Sequence, residues 1–153
     1  MKIKTSELIG PALDWAVAVC EELPLKLDPM GFRSEAPQAV QAGWWVWYSD
    51  FGSMIVGYKP KYRSDHEGYS PSTDWAQGGP IAEREGIAVW RSTTPEKGKW
   101  AAADERWMSL DVESVEFLNL PDPWHGPTRL VAEMRCYVAS KLGDEVDVPE
   151  ELT

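Results

Sequence analysis

Residues 69–80 read Tyr-Ser-Pro-Ser-Thr-Asp-Trp-Ala-Gln-Gly-Gly-Pro and gather the densest set of side chains able to bind a ligand. Gly78 and Gly79 stand directly before Pro80. Proline suits the opening of a helix, because the N–H it lacks would have had no partner there. The spacing therefore predicts a helix that starts at Pro80, whose first amides are free to hold an anion. Tyr69 and Trp75 flank this turn with rings that stack on a base or sugar, and Asp74 and Gln77 offer hydrogen bonds to its edge. Phosphate and ring together point to a small nucleotide-like ligand. The same residues also have a plain structural reading: Ser72, Thr73 or Asp74 caps a turn, Trp75 is core, and the glycines permit a tight entry to the helix. The block lacks the lysine and the spacing of a phosphate-binding loop.

Arg135 falls at the border of the apolar stripe of the last helix, about 100° from Met134 in projection. It is placed either to pair with an acid such as Glu7 or Asp14, or to lend a bidentate guanidinium to an anion near Gly79. Glu83 and Glu85 around Arg84 have the makings of an acid–base pair, but alternating charges on a short helix are ordinarily a solvated face. The histidines, His66 and His125, lie far apart, and the Ser64-Asp65-His66-Glu67 cluster reads as a polar turn rather than half of a metal site. Ser72, His66 and Asp74 lack the elbow that would expose a nucleophile. No catalytic residue, metal site or cofactor is assigned, and an enzyme, such as a nucleotide hydrolase, ranks third among the readings.

The net charge of −10 disfavours attraction to duplex nucleic acid, whose binding relies on clustered Lys and Arg. An acidic surface favours solubility, or a basic protein partner. Nine tryptophans and five tyrosines must be shared between core and surface. Aromatic anchors carry much of the energy of protein contacts, so an acidic, Trp-rich surface engaging a host protein through Trp44 and Trp47 is the competing functional reading. Cys20 and Cys136 are too far apart in sequence to make a disulfide framework or metal cluster, and both read as small buried hydrophobes. No apolar run reaches the roughly eighteen residues of a membrane span, and the start of the chain has no apolar leader, so the expected location is the cytoplasm.

A length of 153 residues suits one domain. The elements expected to position the ligand block are a first helix over residues 11–22, with Leu13, Ala16, Val17 and Cys20 on one face, and a last helix over residues 127–142 closed by Gly143. Between them, runs rich in β-branched and aromatic residues predict strands at 44–49, 53–58, 87–91 and 112–117, the first two joined as a hairpin through residues 50–52. Residues 28–42 and 59–72 read as loops, and the acidic tail 144–153 as loose at its end. The fold class is α+β, a small, mostly antiparallel sheet packed against the N-terminal and C-terminal helices. An exposed edge strand at 44–49 makes a homo-oligomer plausible.

Three blocks carry a family resemblance. Residues 4–8 and 12–18 read Lys-Thr-Ser-Glu-Leu and Ala-Leu-Asp-Trp-Ala-Val-Ala; residues 69–81 continue the ligand block through Pro80-Ile81, with Glu-Arg-Glu-Gly-Ile at 83–87; residues 134–146 read Met-Arg-Cys-Tyr-Val-Ala-Ser-Lys-Leu-Gly-Asp-Glu-Val. The chain thereby resembles the NinX-like proteins of tailed temperate phages from end to end, with longer segments at about 25–61 and 96–124. The resemblance implies phage or prophage origin and a bacterial host cytoplasm, and brings no activity with it. The leading expectation is therefore an accessory protein that binds a small anionic, nucleotide-like ligand without turnover, sequestration of a host defence signal being one use of that chemistry.

Overall fold

The last helix, Arg129–Leu142, organises the molecule. Thr128 caps it, its hydroxyl accepting the Val131 N–H at 3.2 Å, and Gly143, at φ 88°, ends it in a conformation that side chains resist. Pro127 therefore lies ahead of the cap and the helix starts two residues later than expected, because the Thr128 hydroxyl rather than the proline begins it. Every residue from Leu130 to Ala139 is buried. A helix can be buried on all sides only if other elements surround it. In this computed structural model, which describes residues 1–23, 25–27, 44–48, 52–56, 68–105 and 122–153, they do.

Helices pack on one side of it. The first, α1, spans Gly10–Cys20 and places Leu13, Ala16 and Val17 against Met134, Tyr137 and Val138 of the last helix, here α3. The Gly10-Pro11 pair opens α1 as expected. The second, α2, spans Trp75–Arg84 and adds Ile81 and Ala82 to the same core. On the opposite side lies an antiparallel sheet of three strands, Ala88–Arg91, Trp100–Ala103 and Trp124–Gly126, with Ala102 against Ala132 and Cys136. Small residues bring sheet and helix close. A Cβ on Gly126 would stand 2.6 Å from the Ala132 nitrogen, so glycine is required where this strand crosses α3.

Two further sheets complete the described structure. Strands Lys2–Lys4 and Glu145–Asp147 pair antiparallel, so the first part of the acidic tail is held against the N-terminal segment; Val148 is buried and its N–H donates to the Met1 carbonyl at 2.9 Å. Strands Trp44–Tyr48 and Gly52–Val56 form the expected antiparallel pair, flanked by Leu25–Leu27 and by a short parallel strand, Gly68–Tyr69, inside what reads as a loop. The strand expected at 112–117 lies outside the described residues, as does the Ser64-to-Glu67 cluster. The fold is α+β with helices towards both ends and mostly antiparallel pairing, spread among the described residues over three small sheets instead of one. Cys136 is buried and Cys20 partly so, neither in a disulfide; burial pushes the Cys20 thiol up to about 12.

Candidate functional site

The ligand block folds around a helix start that lies five residues earlier than expected. Asp74 is the N-cap of α2, its Oδ1 accepting the Ala76 N–H at 2.9 Å, so Gly79 and Pro80 fall within the helix. Asp74 precedes three residues with no proline or β-branched side chain, and its cap outweighs the proline signal. The Gly78 N–H is consequently spent on the Asp74 carbonyl at 2.9 Å and is not free for an anion. Gly78 is small for another reason. A Cβ there would stand 2.1 Å from the Pro71 carbonyl oxygen and 2.9 Å from Leu130 Cδ2, so glycine lets α2 approach both the preceding turn and α3.

Two of the expected ligand groups fasten this turn. Gln77 Oε1 accepts the Ser70 N–H at 2.7 Å, and Tyr69 is buried in a cluster with Ala18, bordered by Trp15, Leu23 and Leu25. Asp14 of α1, only 4% exposed, accepts the Ser72 N–H at 2.8 Å. Burial raises the Asp14 carboxyl from 3.8 to about 6, against the lowering effect of the Ser72 hydrogen bond.

Arg135 takes neither of its expected roles. It is 8% exposed, with Nε donating to the Leu8 carbonyl at 2.8 Å and Nη1 to the His125 carbonyl at 2.7 Å. Both partners are backbone carbonyls, one in the N-terminal segment and one within the strand Trp124–Gly126, so the guanidinium stitches α3 to both. Burial lowers its pKa without neutralising it.

Among the residues expected to bind a ligand, Trp75 alone is exposed, half its surface open at 50%. Its ring lies beside Gly79, whose added Cβ would meet Trp75 Cε3 at 3.4 Å. The Arg129 guanidinium sits 5.0 Å from the Trp75 ring centre and 5.6 Å from that of Trp100. Arg91, directly across the strand pair from Trp100, lies 5.1 Å from the same Trp100 ring. Two indoles and two exposed guanidinium groups from α2, α3 and the sheet thus share one face. Glu133, one turn along α3 from Arg129, lies behind it: 3% exposed, with Oε1 3.9 Å from Arg129 Nη2. Its Oε2 is buried and has no hydrogen-bond partner among the described residues. Burial raises the Glu133 pKa, and the Arg129 charge opposes the rise.

Trp100, Arg91, Arg129 and Glu133 escaped sequence reasoning. Trp100 falls in a segment read only as an extension, and without its strand the pairing to Arg91 is invisible. The usable signal was Thr128, which as a cap would have put Arg129 in the exposed first turn of α3.

Glu83 is exposed, and Arg84 and Glu85 serve elsewhere. Arg84 reaches Glu21 of α1 through both terminal nitrogens, Nη1 at 3.1 Å, and Glu85 through Nε at 3.0 Å. Tyr137 donates its hydroxyl to Glu21 Oε1 at 2.6 Å. Burial acts to raise the Glu21 carboxyl, but the hydrogen bonds from Arg84 and Tyr137 prevail and hold it below its ordinary value. These groups clamp the C-terminal ends of α1 and α2 to α3. A cavity of about 880 Å³ bordered by the three-stranded sheet, by Cys136 and Ala139 of α3 and by Lys4, Lys97, Asp122, His125 and Asp144 offers little to a ligand: Lys97 is already paired with Asp122 at 3.3 Å, and His125 Nε2 lies 3.2 Å from Thr94 Oγ1. Among the described residues no three His, Cys, Asp or Glu converge as a metal site would need, and no helix is long and apolar enough to cross a membrane.

The fold and this face define an α+β protein with an open arginine–tryptophan surface next to its central helix. The family model described as "Bacteriophage P22, NinX" matches residues 4–141, and the chain belongs to that family. No curated protein matches it.

Proposed function

We propose that this NinX-family protein binds a small anionic ligand with a planar ring, of the nucleotide type, on the face shared by Trp75, Trp100, Arg91 and Arg129, in the cytoplasm of a bacterial host. The observation that carries the reading is the Arg129 guanidinium within stacking reach of two indoles, one of them half exposed. Base–aromatic stacking contributes about 1–3 kcal/mol per base, and arginine adds both cation–π attraction and bidentate phosphate contacts. Arg91 makes no ion pair among the described residues, so its charge is available to a phosphate despite the net charge of −10. Of the residues expected to bind, this reading keeps Trp75 in contact with ligand. It gives Asp74, Gln77, Gly78, Gly79, Tyr69 and Arg135 the work of shaping and holding the turn and helix behind it. The function is binding, and sequestration of a nucleotide-like host defence signal is one use it serves.

Calorimetric titration with nucleoside monophosphates, with ribose 5-phosphate as the ring-free control, tests this. At least one nucleotide is expected to bind more tightly than the control, and Trp75→Ala or Arg129→Ala to weaken it by about tenfold or more. Trp75 is at the surface, so its replacement should not disturb folding, whereas Arg129→Ala removes the cation nearest buried Glu133 and its fold is checked by thermal unfolding. Affinities no better than that of ribose 5-phosphate, or unchanged in both variants, would remove this function.

A further inference from the structure

A buried carboxylate oxygen without a donor is costly, because it has given up water for nothing. Glu133 holds such an oxygen directly behind the arginine–tryptophan face. Its nearest cation, Arg129, stands at 3.9 Å, too far for a hydrogen bond, although the guanidinium is planar and rich in donors. That guanidinium is also the group lying over Trp75 and Trp100. A flat, donor-bearing group beside two indoles and in front of a carboxylate is the arrangement that a donor-edged ring would adopt there.

We infer that the face selects guanine nucleotides, Glu133 being the residue that reads the base. Guanine presents two parallel donors, N1–H and the 2-amino group, which match the two oxygens of a carboxylate. Adenine presents an acceptor at N1 and is repelled. Arg129, with a side chain 48% exposed, has room to swing aside, and outside the stack it meets the phosphate together with Arg91. The guanidinium thus occupies the place of the base until a ligand arrives. This inference rests on the stacking function proposed above and names the class of ligand it takes.

The test is titration of the protein with GMP, IMP and AMP, repeated with Glu133→Gln and with Trp75→Ala. In the unaltered protein GMP should bind about tenfold more tightly than IMP, which lacks the 2-amino donor, and AMP should be weakest. Glu133→Gln, similar in size, should bring the three affinities together by weakening GMP. Equal affinities for all three, still dependent on Trp75, would overturn guanine selection and leave the stacking function standing. Binding by none of them overturns both. Should Glu133→Gln fail to fold, the three affinities of the unaltered protein decide the matter by themselves.

Discussion

Asp14 illustrates how much one buried atom can weigh. Its carboxyl is nearly sealed from solvent yet accepts the Ser72 N–H, so it fixes the turn that leads into α2 at the expense of desolvating a charge. With a pKa raised to about 6, the folded protein holds this proton where the unfolded chain, near 3.8, has released it. The contribution to stability is therefore full below about pH 4 and is lost as pH rises through about 6. A separation of about two pH units corresponds to roughly 3 kcal/mol. Asp14→Asn keeps an acceptor and cannot titrate. Urea unfolding from pH 4 to 7.5 should show the unaltered protein losing up to that much relative to Asp14→Asn as pH rises. A difference constant across the range would mean that the carboxyl is not so perturbed. Glu21, held low by Arg84 and Tyr137, acts with the opposite sign, stabilising above its unfolded value and losing that effect as pH falls, so the comparison of variants rather than the raw profile isolates Asp14.

At the scale of elements, α2 depends on a glycine that faces a carbonyl. Gly78→Ala puts a methyl into the Pro71 backbone oxygen, which cannot move as a side-chain tip could, and against Leu130. The expected loss is about 1–3 kcal/mol in urea or thermal unfolding, despite alanine's better helix propensity, whereas Gly79→Ala meets only the Trp75 ring and should cost far less. A Gly78→Ala protein as stable as its parent would place α2 elsewhere. The contrast also explains what was legible beforehand. Helices α1 and α3 announce themselves by apolar spacing, and the hairpin by β-branched and aromatic runs, because these signals are local. The start of α2 was misread because two local signals competed, and the Asp74 side chain, not the proline ring, satisfies the first amides. The strand Trp100–Ala103 was missed because three alanines carry no strand signature; it exists through pairing with Ala88–Arg91 and packing on α3. The arginine–tryptophan face was illegible for the same reason. Its rings and cations lie on three elements, and only Trp75 belonged to a recognisable block. Arg135 is buried with all its helical neighbours rather than at the border of a stripe, and its partners are carbonyls, which every residue possesses and no sequence distinguishes.

For the molecule as a whole, α3 is the common wall of two core clusters: α1 and α2 rest on one side, the three-stranded sheet on the other, and Arg135 anchors it to both the N-terminal segment and the strand before it. Such a wall cannot meet solvent unless its neighbours part from it together. In deuterium exchange followed by mass spectrometry, amides between Leu130 and Ala139 should therefore be the slowest in the protein, exchanging only through global opening, while those of the exposed turn at 92–98 exchange early. Comparable rates in the two peptides would contradict that placement. The central helix then acts as a built-in gauge: loosening of α1, of α2 or of the sheet, by whatever substitution, registers as faster isotope uptake in one and the same peptide.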